Sequence, residues 1–203
     1  MDVNDKAHGA HDPAGSVPPS FPDRDEALAA VMPALARQLG ELGIPTMTTT
    51  HDAVFTVDES QALRGRIPGA HTKNLFVKDK KGRLFLVVAQ EDTAVDLKTL
   101  HGKIGGQGRL SFASPEQMRE RLGVEPGAVT AFGVVNDRDD AVTLVLDERL
   151  LAHDIVNCHP LTNRATTSIA RTDLMALFAS LRHDPLVVSL ELSADEHASG
   201  QTS

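Results

Sequence analysis

The sequence predicts a single domain of the mixed α/β (α+β) class, in which helices flank a mixed, largely antiparallel sheet. Short β-branched and apolar runs alternate with stretches that carry helix-capping signals. Tight polar turns join several of these runs, so strands arrive as hairpins between helices, which favours this arrangement over a doubly wound parallel sheet. With 203 residues, of which 41% are hydrophobic, the chain is long enough for one sizeable core and short for two.

The composition of both ends of the chain predicts disorder. Residues 1–22 are polar, rich in Gly, Pro and Asp, and show no periodicity, and residues 194–203 resemble them. The folded domain is therefore expected over residues 23–193. No apolar run approaches the ~20 residues of a membrane span, and the N-terminus lacks the apolar stretch of a signal peptide. A single cysteine fits a reducing compartment, so we expect a soluble cytoplasmic protein with no membrane partner.

Two helices are predicted before the first hairpin. Asp25 is placed to cap a helix that runs towards Leu42, and Pro33 must either kink this helix or begin its regular part. The capping-box spacing of residues 58–61 predicts a short helix over residues 62–66.

The middle of the chain predicts a hairpin followed by a helix. Residues 74–76 and 83–88 read as strands joined by the turn Lys-Asp-Lys-Lys-Gly at 78–82. Residues 95–104 then predict a helix that ends at a pair of glycines.

The best-marked helix lies between Ser114 and Gly123. Ser stands at the cap, Pro at the first helical position, Gln at the third, and Gly just after the last turn. Apolar runs at 127–135 and 141–146, separated by a polar turn, predict a second hairpin. A further helix is predicted after Thr172, and a final strand over residues 186–192.

Charge is distributed unevenly along the chain. The net charge of −8 argues at first sight against a nucleic acid partner, yet the field near a binding face matters more than the total. Residues 64–83 carry seven basic residues and one acid, a net charge of +6. A solvated hairpin explains such a run most simply, although contact with nucleic acid phosphates would also suit it. The basic residues are Arg64, Arg66, Lys73, Lys78, Lys80, Lys81 and Arg83.

Several familiar catalytic motifs are absent. The sequence has no Gly-x-x-x-x-Gly-Lys-Ser/Thr loop, no Gly-x-Gly-x-x-Gly after a strand, no His-Glu-x-x-His and no Gly-x-Ser-x-Gly elbow. These absences disfavour phosphoryl transfer by a P-loop, dinucleotide redox chemistry and serine hydrolase chemistry. We expect neither a cofactor nor a metal.

Cys158 and His159 admit two further interpretations, a thiol nucleophile and a metal ligand. Neighbouring residues on an extended chain point to opposite sides, so Cys158 faces the core if His159 faces a cleft. His153, His159 and His183 follow no spacing typical of a metal site. Both interpretations are therefore the weaker ones.

Three blocks hold the remaining polar candidates: residues 51–56, residues 69–76, and residues 159–163 with Thr166 and Thr167. Lys73 could hold an anionic phosphate and Asn74 could fix a carbonyl or hydroxyl, since both stand where a turn is expected to lead into an apolar strand. Ordinary strand-edge polarity would explain them equally well. Pro160 would hold the His159 imidazole out for hydrogen bonding, unless His159 is a satisfied structural residue.

Together these blocks resemble the YbaK/ProX family of prolyl-tRNA editing proteins, from about Leu39 to Leu192. The motifs are His-x-x-x-Phe-Thr at 51–56, Lys-Asn-Leu-Phe at 73–76, Leu-Gly-Val-x-Pro-Gly at 122–127 and His-Pro-Leu-x-Asn at 159–163. They are specific as a set, and the last one resembles the free-standing alanyl-tRNA(Pro) deacylases. The family is related to the editing insertion of bacterial prolyl-tRNA synthetases.

The resemblance implies a YbaK-like domain whose cleft holds the 3′-terminal aminoacyl-adenosine of tRNA. It implies Lys73, Asn74 and His159 as the catalytic group, with Lys73 near the terminal phosphate. The family loop Gly-x-x-x-Pro shapes the amino-acid pocket, and Ala131 departs here from its proline. The implied substrate-binding residues are His51, Phe55, Thr56, Gly127, Ala128, Val129, Thr130, Ala131 and Asn163.

The implied activity is hydrolysis of a mischarged small amino acid, alanine above all, from tRNA(Pro). Its partners would be the tRNA(Pro) acceptor end and prolyl-tRNA synthetase, with no DNA. Two alternatives stay open: a non-catalytic module on the same fold that binds tRNA ends or a synthetase, and an unrelated ester hydrolase that uses Cys158 and His159.

Overall fold

The computed structural model of this chain describes residues 20–52 and 67–191, and within these ranges it contains eight strands and five α-helices. The strands are β1 (Thr46–Thr50), β2 (Ala70–Lys78), β3 (Leu84–Gln90), β4 (Ser111–Phe112), β5 (Val142–Asp147), β6 (Ile155–Cys158), β7 (Ala165–Ala170) and β8 (Leu186–Val188). The helices are α1 (Glu26–Val31), α2 (Pro33–Glu41), α3 (Leu100–Lys103), α4 (Pro115–Gln117) and α5 (Arg171–Ser180). A π-helical turn covers Met118–Leu122, and 3-10 turns cover Ala131–Asn136 and Glu148–Ala152.

The strands form one mixed sheet in the order β1-β7-β6-β2-β3-β5-β8, and β4 also pairs with β2. Four of the seven strand pairs are antiparallel and three are parallel. The predicted mixed, largely antiparallel sheet is therefore confirmed. None of the helices in the described ranges is long and apolar enough to cross a bilayer.

The N-terminal helical region divides at Pro33, which begins α2. Asp25 caps α1 by accepting a 2.9 Å bond from the Leu28 amide. Its second carboxylate oxygen accepts bonds from the hydroxyls of Thr46 and Thr48, at 2.9 and 2.7 Å. One residue thus starts the first helix and fixes it to β1.

The predicted hairpin is confirmed, and its turn is built around the buried Asp79. Backbone amides of Lys81, Arg83 and Gln107 donate to its carboxylate, and the Arg83 guanidinium pairs with it at 2.8 Å. Burial alone would raise the pKa of this carboxyl, but the donated bonds lower it to about 2. The first strand begins at Ala70, four residues before the predicted start.

Other local predictions are also confirmed. The Ser114 hydroxyl and the Gln117 side chain form a reciprocal capping box, and Gly123 ends the helical segment with φ +65°. The helix near Thr172 is present as α5, and the last strand is β8, shorter than predicted. The predicted helix over residues 62–66 and both predicted tails, apart from residues 20–22, lie outside the described residues.

Two predictions are wrong. Residues 95–104 form a helix only over α3, because the Asp96 side chain accepts the Lys98 amide in a turn that competes with helix formation. The second hairpin does not exist. Residues 131–136 form a 3-10 turn whose apolar side chains enter the core, and β5 pairs in parallel with β3.

The two faces of the sheet are covered differently. One face carries a large core that spans both halves of the sheet, from Ile169 on β7 to Leu86 on β3. The other face carries a smaller core built on β3 and its neighbours, including Phe85 and Val145. Next to the smaller core, this second face becomes polar across β6 and β7, where Asn157 and Ser168 are buried and bonded to each other at 2.6 Å.

Candidate functional site

Strands β2 and β6 run side by side for only two residue pairs before they part. The parallel ladder contains Ala70 with Val156 and His71 with Asn157. Farther along the same edge of β2, Val77 pairs with β4. Residues 73–75 lie between these two partners, and we call the gap beside them the crevice. In sheets that contain parallel strands, ligands typically bind where neighbouring strands diverge at their carboxyl ends.

Four polar residues form a row across the polar face of the sheet at the crevice. Lys73 and His159 each stand two residues beyond the last pair of the β2–β6 ladder, so their side chains leave the same face. The antiparallel register of β6 and β7 brings Thr166 next to His159 on that face. His51 follows β1 and completes the row through a 3.0 Å bond between its Nε2 and the Thr166 hydroxyl.

Lys73 is half-buried in the middle of β2 rather than at the start of a strand, which corrects the prediction from sequence. Its ammonium donates to the backbone carbonyl of Thr93, a fully buried residue whose hydroxyl donates to Asp147 at 2.6 Å. Burial lowers the pKa of Lys73, while the negative charges of Asp92, Asp147 and Glu91 oppose that shift. The cation is thus held in place at the edge of an acidic network.

The backbone of His159 is fixed from two sides. Its carbonyl oxygen accepts a 2.5 Å bond from the Thr130 hydroxyl and a 3.0 Å bond from the Leu161 amide. Leu161 has φ +62°, a conformation that costs energy in a residue other than glycine, and its amide nevertheless holds the His159 carbonyl. Burial lowers the pKa of the His159 imidazole, and the charges of His51 and His71 lower it further. The ring is therefore neutral at neutral pH.

Asn74 points to the opposite face from Lys73, because consecutive residues of a strand alternate. Asn74 therefore does not belong to the polar row that contains Lys73. Its amide nitrogen lies 3.5 Å from the Thr72 hydroxyl, and its buried Oδ1 has no hydrogen-bond partner among the described residues. A buried acceptor without a partner is costly and suggests a donor that arrives with a ligand.

Cys158 also lies on the face of Asn74 and is fully buried in the large core, as predicted. Burial raises the pKa of its thiol to about 12, although the Thr72 hydroxyl, 3.8 Å away, lowers it slightly. A thiol with such a pKa holds almost no thiolate at neutral pH, so the chemistry of a cysteine nucleophile is not supported.

The loop of residues 127–131 joins the site through Thr130. Ala128 and Ala131 are buried in the large core, and Val129 packs against it. Gly127 has φ +88°, and a Cβ built on it would meet no atom within 4 Å. Glycine is therefore needed there for its backbone conformation.

The remaining candidates divide between described and undescribed residues. Asn163 is half-buried in the turn between β6 and β7. Phe55 and Thr56 lie outside the described residues, so their predicted role stays a prediction. Thr166, a polar candidate grouped with residues 159–163 but without a predicted role, is the bonding partner of His51. Its place beside His159 depends on strand register, which the local sequence does not reveal.

Among residues 20–52 and 67–191, no three His, Cys, Asp or Glu side chains come together in a group that could hold an ion.

The chain is similar to several known proteins. Residues 51–177 match the family described as the aminoacyl-tRNA editing domain. The prolyl-tRNA editing protein ProX of Acetoanaerobium sticklandii is 40% identical over 142 residues, covering 70% of this chain and 86% of the relative. The prolyl-tRNA synthetase associated domain-containing protein 1 of Danio rerio is 37% identical over 170 residues, covering 80% and 92%. In fold, the chain is similar to a crystal structure described as a putative trans-editing enzyme for prolyl tRNA synthetase, with a TM-score of 0.60, 22% identity and coverage of 83% and 96%.

Proposed function

Because the chain belongs to the aminoacyl-tRNA editing domain family, we propose that it is a deacylase that hydrolyses the ester of alanine wrongly attached to tRNA(Pro). The name of the ProX relative, a prolyl-tRNA editing protein, supports the choice of tRNA. The 127–131 loop, which packs on the large core through Ala128 and Ala131 and bonds the His159 carbonyl through Thr130, supports a tight site and hence a small amino acid.

One observation carries the proposal: Lys73 and His159 leave the same face of the sheet at the point where β2 and β6 part. This pair offers a fixed cation for a phosphate oxygen and a neutral imidazole for a hydroxyl. Both groups are needed to hold the terminal adenosine of a tRNA. Lys73 is kept in position by Thr93, and His159 by Thr130, before any substrate arrives.

The proposed chemistry needs no protein nucleophile. A water molecule adds to the ester carbonyl carbon, and the resulting tetrahedral intermediate expels the ribose oxygen, which takes up a proton. The products are a free amino acid and a tRNA with both terminal hydroxyls restored. The neighbouring ribose hydroxyl assists the water, while the protein supplies orientation and electrostatic stabilisation of the oxyanion.

In this proposal the polar side chains of the site position the substrate. Asn74 would reach the ester carbonyl or ribose from the other side of the crevice, and its unpartnered Oδ1 gains a donor when the substrate binds. The neutral His159 ring accepts a hydrogen bond from a ribose hydroxyl. Lys73 remains protonated and holds the terminal phosphate.

Selection of alanine follows from steric exclusion. Because Ala128 and Ala131 are small, the 127–131 loop packs directly on the large core, without long side chains that could move aside. Exclusion by bulk discriminates well against larger residues, whereas one methylene of attractive binding provides only ~1–3 kcal/mol. The partners in this proposal are the aminoacylated acceptor end of tRNA(Pro) and prolyl-tRNA synthetase, in the cytoplasm.

The test is deacylation of purified Ala-, Cys-, Ser- and Pro-tRNA(Pro), measured side by side with the wild-type protein and with Lys73→Met. We expect Ala-tRNA(Pro) to be hydrolysed fastest, and the variant to be at least ~100-fold slower. Binding of tRNA without hydrolysis of any of the four would instead identify a non-catalytic module on the same fold. Preferential hydrolysis of Cys- or Ser-tRNA(Pro) would overturn the choice of alanine.

A further inference from the structure

Phe112 is an exposed aromatic residue in a chain that has few aromatic residues. The sequence contains seven phenylalanines and neither tryptophan nor tyrosine. Phe112 is 58% exposed, more than any other large hydrophobic residue in the described ranges. Four other phenylalanines are at most 2% exposed, namely Phe76, Phe85, Phe132 and Phe178.

The position of Phe112 relates it to the crevice. In the β2–β4 ladder Phe112 pairs with Val77, so its ring leaves the sheet on the face of Val77 and Lys73. Lys73 lies four residues before Val77, a distance of roughly 13 Å along the strand. Leu110, two residues before Phe112, is buried in the smaller core and anchors this short strand. The ring is thus held at the far rim of the crevice, on the face that carries the row of polar residues.

Basic residues are concentrated in the two chain segments next to this ring, although Lys78 leaves the opposite face of the sheet. The turn of residues 78–83 and the adjoining loop of residues 105–112 contain five basic residues and one acid, a net charge of +4. The acid is Asp79, which is buried and paired with Arg83. Lys80 packs along Gly108, which joins the turn to the loop. The five basic residues are Lys78, Lys80, Lys81, Arg83 and Arg109.

We propose that Phe112 stacks on an unpaired base of the single-stranded tRNA 3′ end, just upstream of the terminal adenosine, while the surrounding cations contact the phosphates. An exposed aromatic ring among basic residues is the usual arrangement for binding single-stranded nucleic acid. A single exposed ring next to segments with a net charge of +4 also suits a polyanion better than an apolar protein partner. The inference rests on the proposed function, since it takes the terminal adenosine to lie in the crevice.

A binding experiment tests the inference independently of catalysis. Because the chain lacks tryptophan, Phe112→Trp introduces a unique fluorophore at the proposed contact. We expect its emission to be quenched on titration with an RNA minihelix that ends in a single-stranded CCA, and not with the same helix made blunt. Leu42→Trp, at a 44% exposed position after α2, is the matched control and should stay unquenched. A minihelix that fails to bind, or that binds by anisotropy without quenching Phe112→Trp, would overturn the proposal.

A kinetic experiment separates this contact from the chemistry. Phe112→Ala should raise KM for Ala-tRNA(Pro) about tenfold, within the range of base–aromatic stacking, with little change in kcat. Hydrolysis of 3′-alanyl-adenosine, which lacks the upstream bases, should be unchanged. Phe112→Tyr should restore KM, whereas Phe112→Leu should not. Equal KM values for wild type and Phe112→Ala would overturn the stacking contact, whereas a wild-type protein inactive on both substrates would overturn the proposed function.

Discussion

The Thr130 hydroxyl donates a 2.5 Å hydrogen bond to the carbonyl oxygen of His159, and it also accepts the amide of Phe132. One side chain therefore joins the 127–131 loop to the segment that presents the imidazole. A displacement of either segment would shift the other. The proposed amino-acid pocket and the proposed His159 contact are therefore mechanically coupled through Thr130.

Replacing Thr130 with valine keeps the shape of the side chain and removes both bonds. We expect the free energy of unfolding to fall by about 1–3 kcal/mol, because the buried Phe132 amide loses its acceptor. Deacylation should also fall, through misplacement of His159. Thr143→Val, on an exposed position of β5, is the matched control and should leave both measurements unchanged. Full activity in a destabilised Thr130→Val would show that the bond is structural only.

Lys73→Met removes the ammonium and keeps most of the length of the side chain. We expect at least ~100-fold slower deacylation, the scale for loss of one positioned electrostatic contact. Lys81→Met, in the exposed hairpin turn, is the control: it should be nearly silent on 3′-alanyl-adenosine 5′-phosphate, which keeps the terminal phosphate and lacks the upstream bases, whereas Lys73→Met should not. Because burial lowers the pKa of Lys73, wild-type activity should also decline at high pH with a midpoint below 10.5. A folded Lys73→Met with near-normal rates would remove Lys73 from the site.

The pH profile tests the neutral form of His159. Burial disfavours the imidazolium, so the pKa lies below its ordinary value of 6.5 and the neutral ring persists into mild acid. We expect kcat/KM to fall on the acid side with a midpoint below 6.5, and this limb to flatten in His159→Asn. Between 6.5 and the lowered pKa the unfolded chain binds a proton that the folded chain does not, so stability should decrease as pH falls through that window. An acid midpoint above 6.5 would contradict the assignment.

Cys158→Ser should leave deacylation almost unchanged, because a buried thiol with a pKa of about 12 contributes no nucleophile. Placing a hydroxyl in the large core should cost about 1–3 kcal/mol of stability, which thermal unfolding would measure. Treatment of the native wild-type protein with a thiol-alkylating reagent should likewise preserve activity. Inactivation of a protein that remains folded would restore the cysteine hypothesis.

Ala131→Pro tests the loop position that departs from the family pattern. Ala131 is the first residue of a 3-10 turn, and the preceding Thr130 is extended, with φ −151° and ψ 156°, as a residue before proline should be. Because this backbone already suits proline, we expect the free energy of unfolding to rise by ~0.4–1 kcal/mol. The ratio of Ala-tRNA to Ser-tRNA deacylation should rise. Strong destabilisation would mean that the larger ring collides with the core around the fully buried Ala131.

Several features that depend on local chemistry were predictable from the sequence, although the Asp96 turn that replaces the start of the predicted 95–104 helix was not. The capping box at Ser114 and the hairpin turn at Asp79 are examples, since their bonds join residues a few positions apart. Features that depend on distant partners were not. The apolar run at residues 131–136 became a 3-10 turn because the core accommodates it in that form, and its pattern resembles that of a strand.

The candidate site shows the same division. The residue types at Lys73, Asn74 and His159 drew attention to them, but the Thr93 carbonyl that holds Lys73 lies twenty residues away and has no sequence signal. The separation of Lys73 from Asn74 could have been predicted, because alternation along a strand places neighbours on opposite faces. With β2 beginning at Ala70, Lys73 and Asn74 both lie inside the strand and must point to opposite faces.

The short ladder between β2 and β6 has a consequence for cooperativity. Two residue pairs connect the β1–β7–β6 half of the sheet to β2, whereas seven connect β2 to β3. Amide hydrogen exchange should therefore divide the sheet into two protected units, with the earliest exchange on the β6 side of their boundary. The polar row crosses that boundary, so a ligand that contacts both Lys73 and His159 would link the two units. Such a ligand should slow exchange on both sides at once.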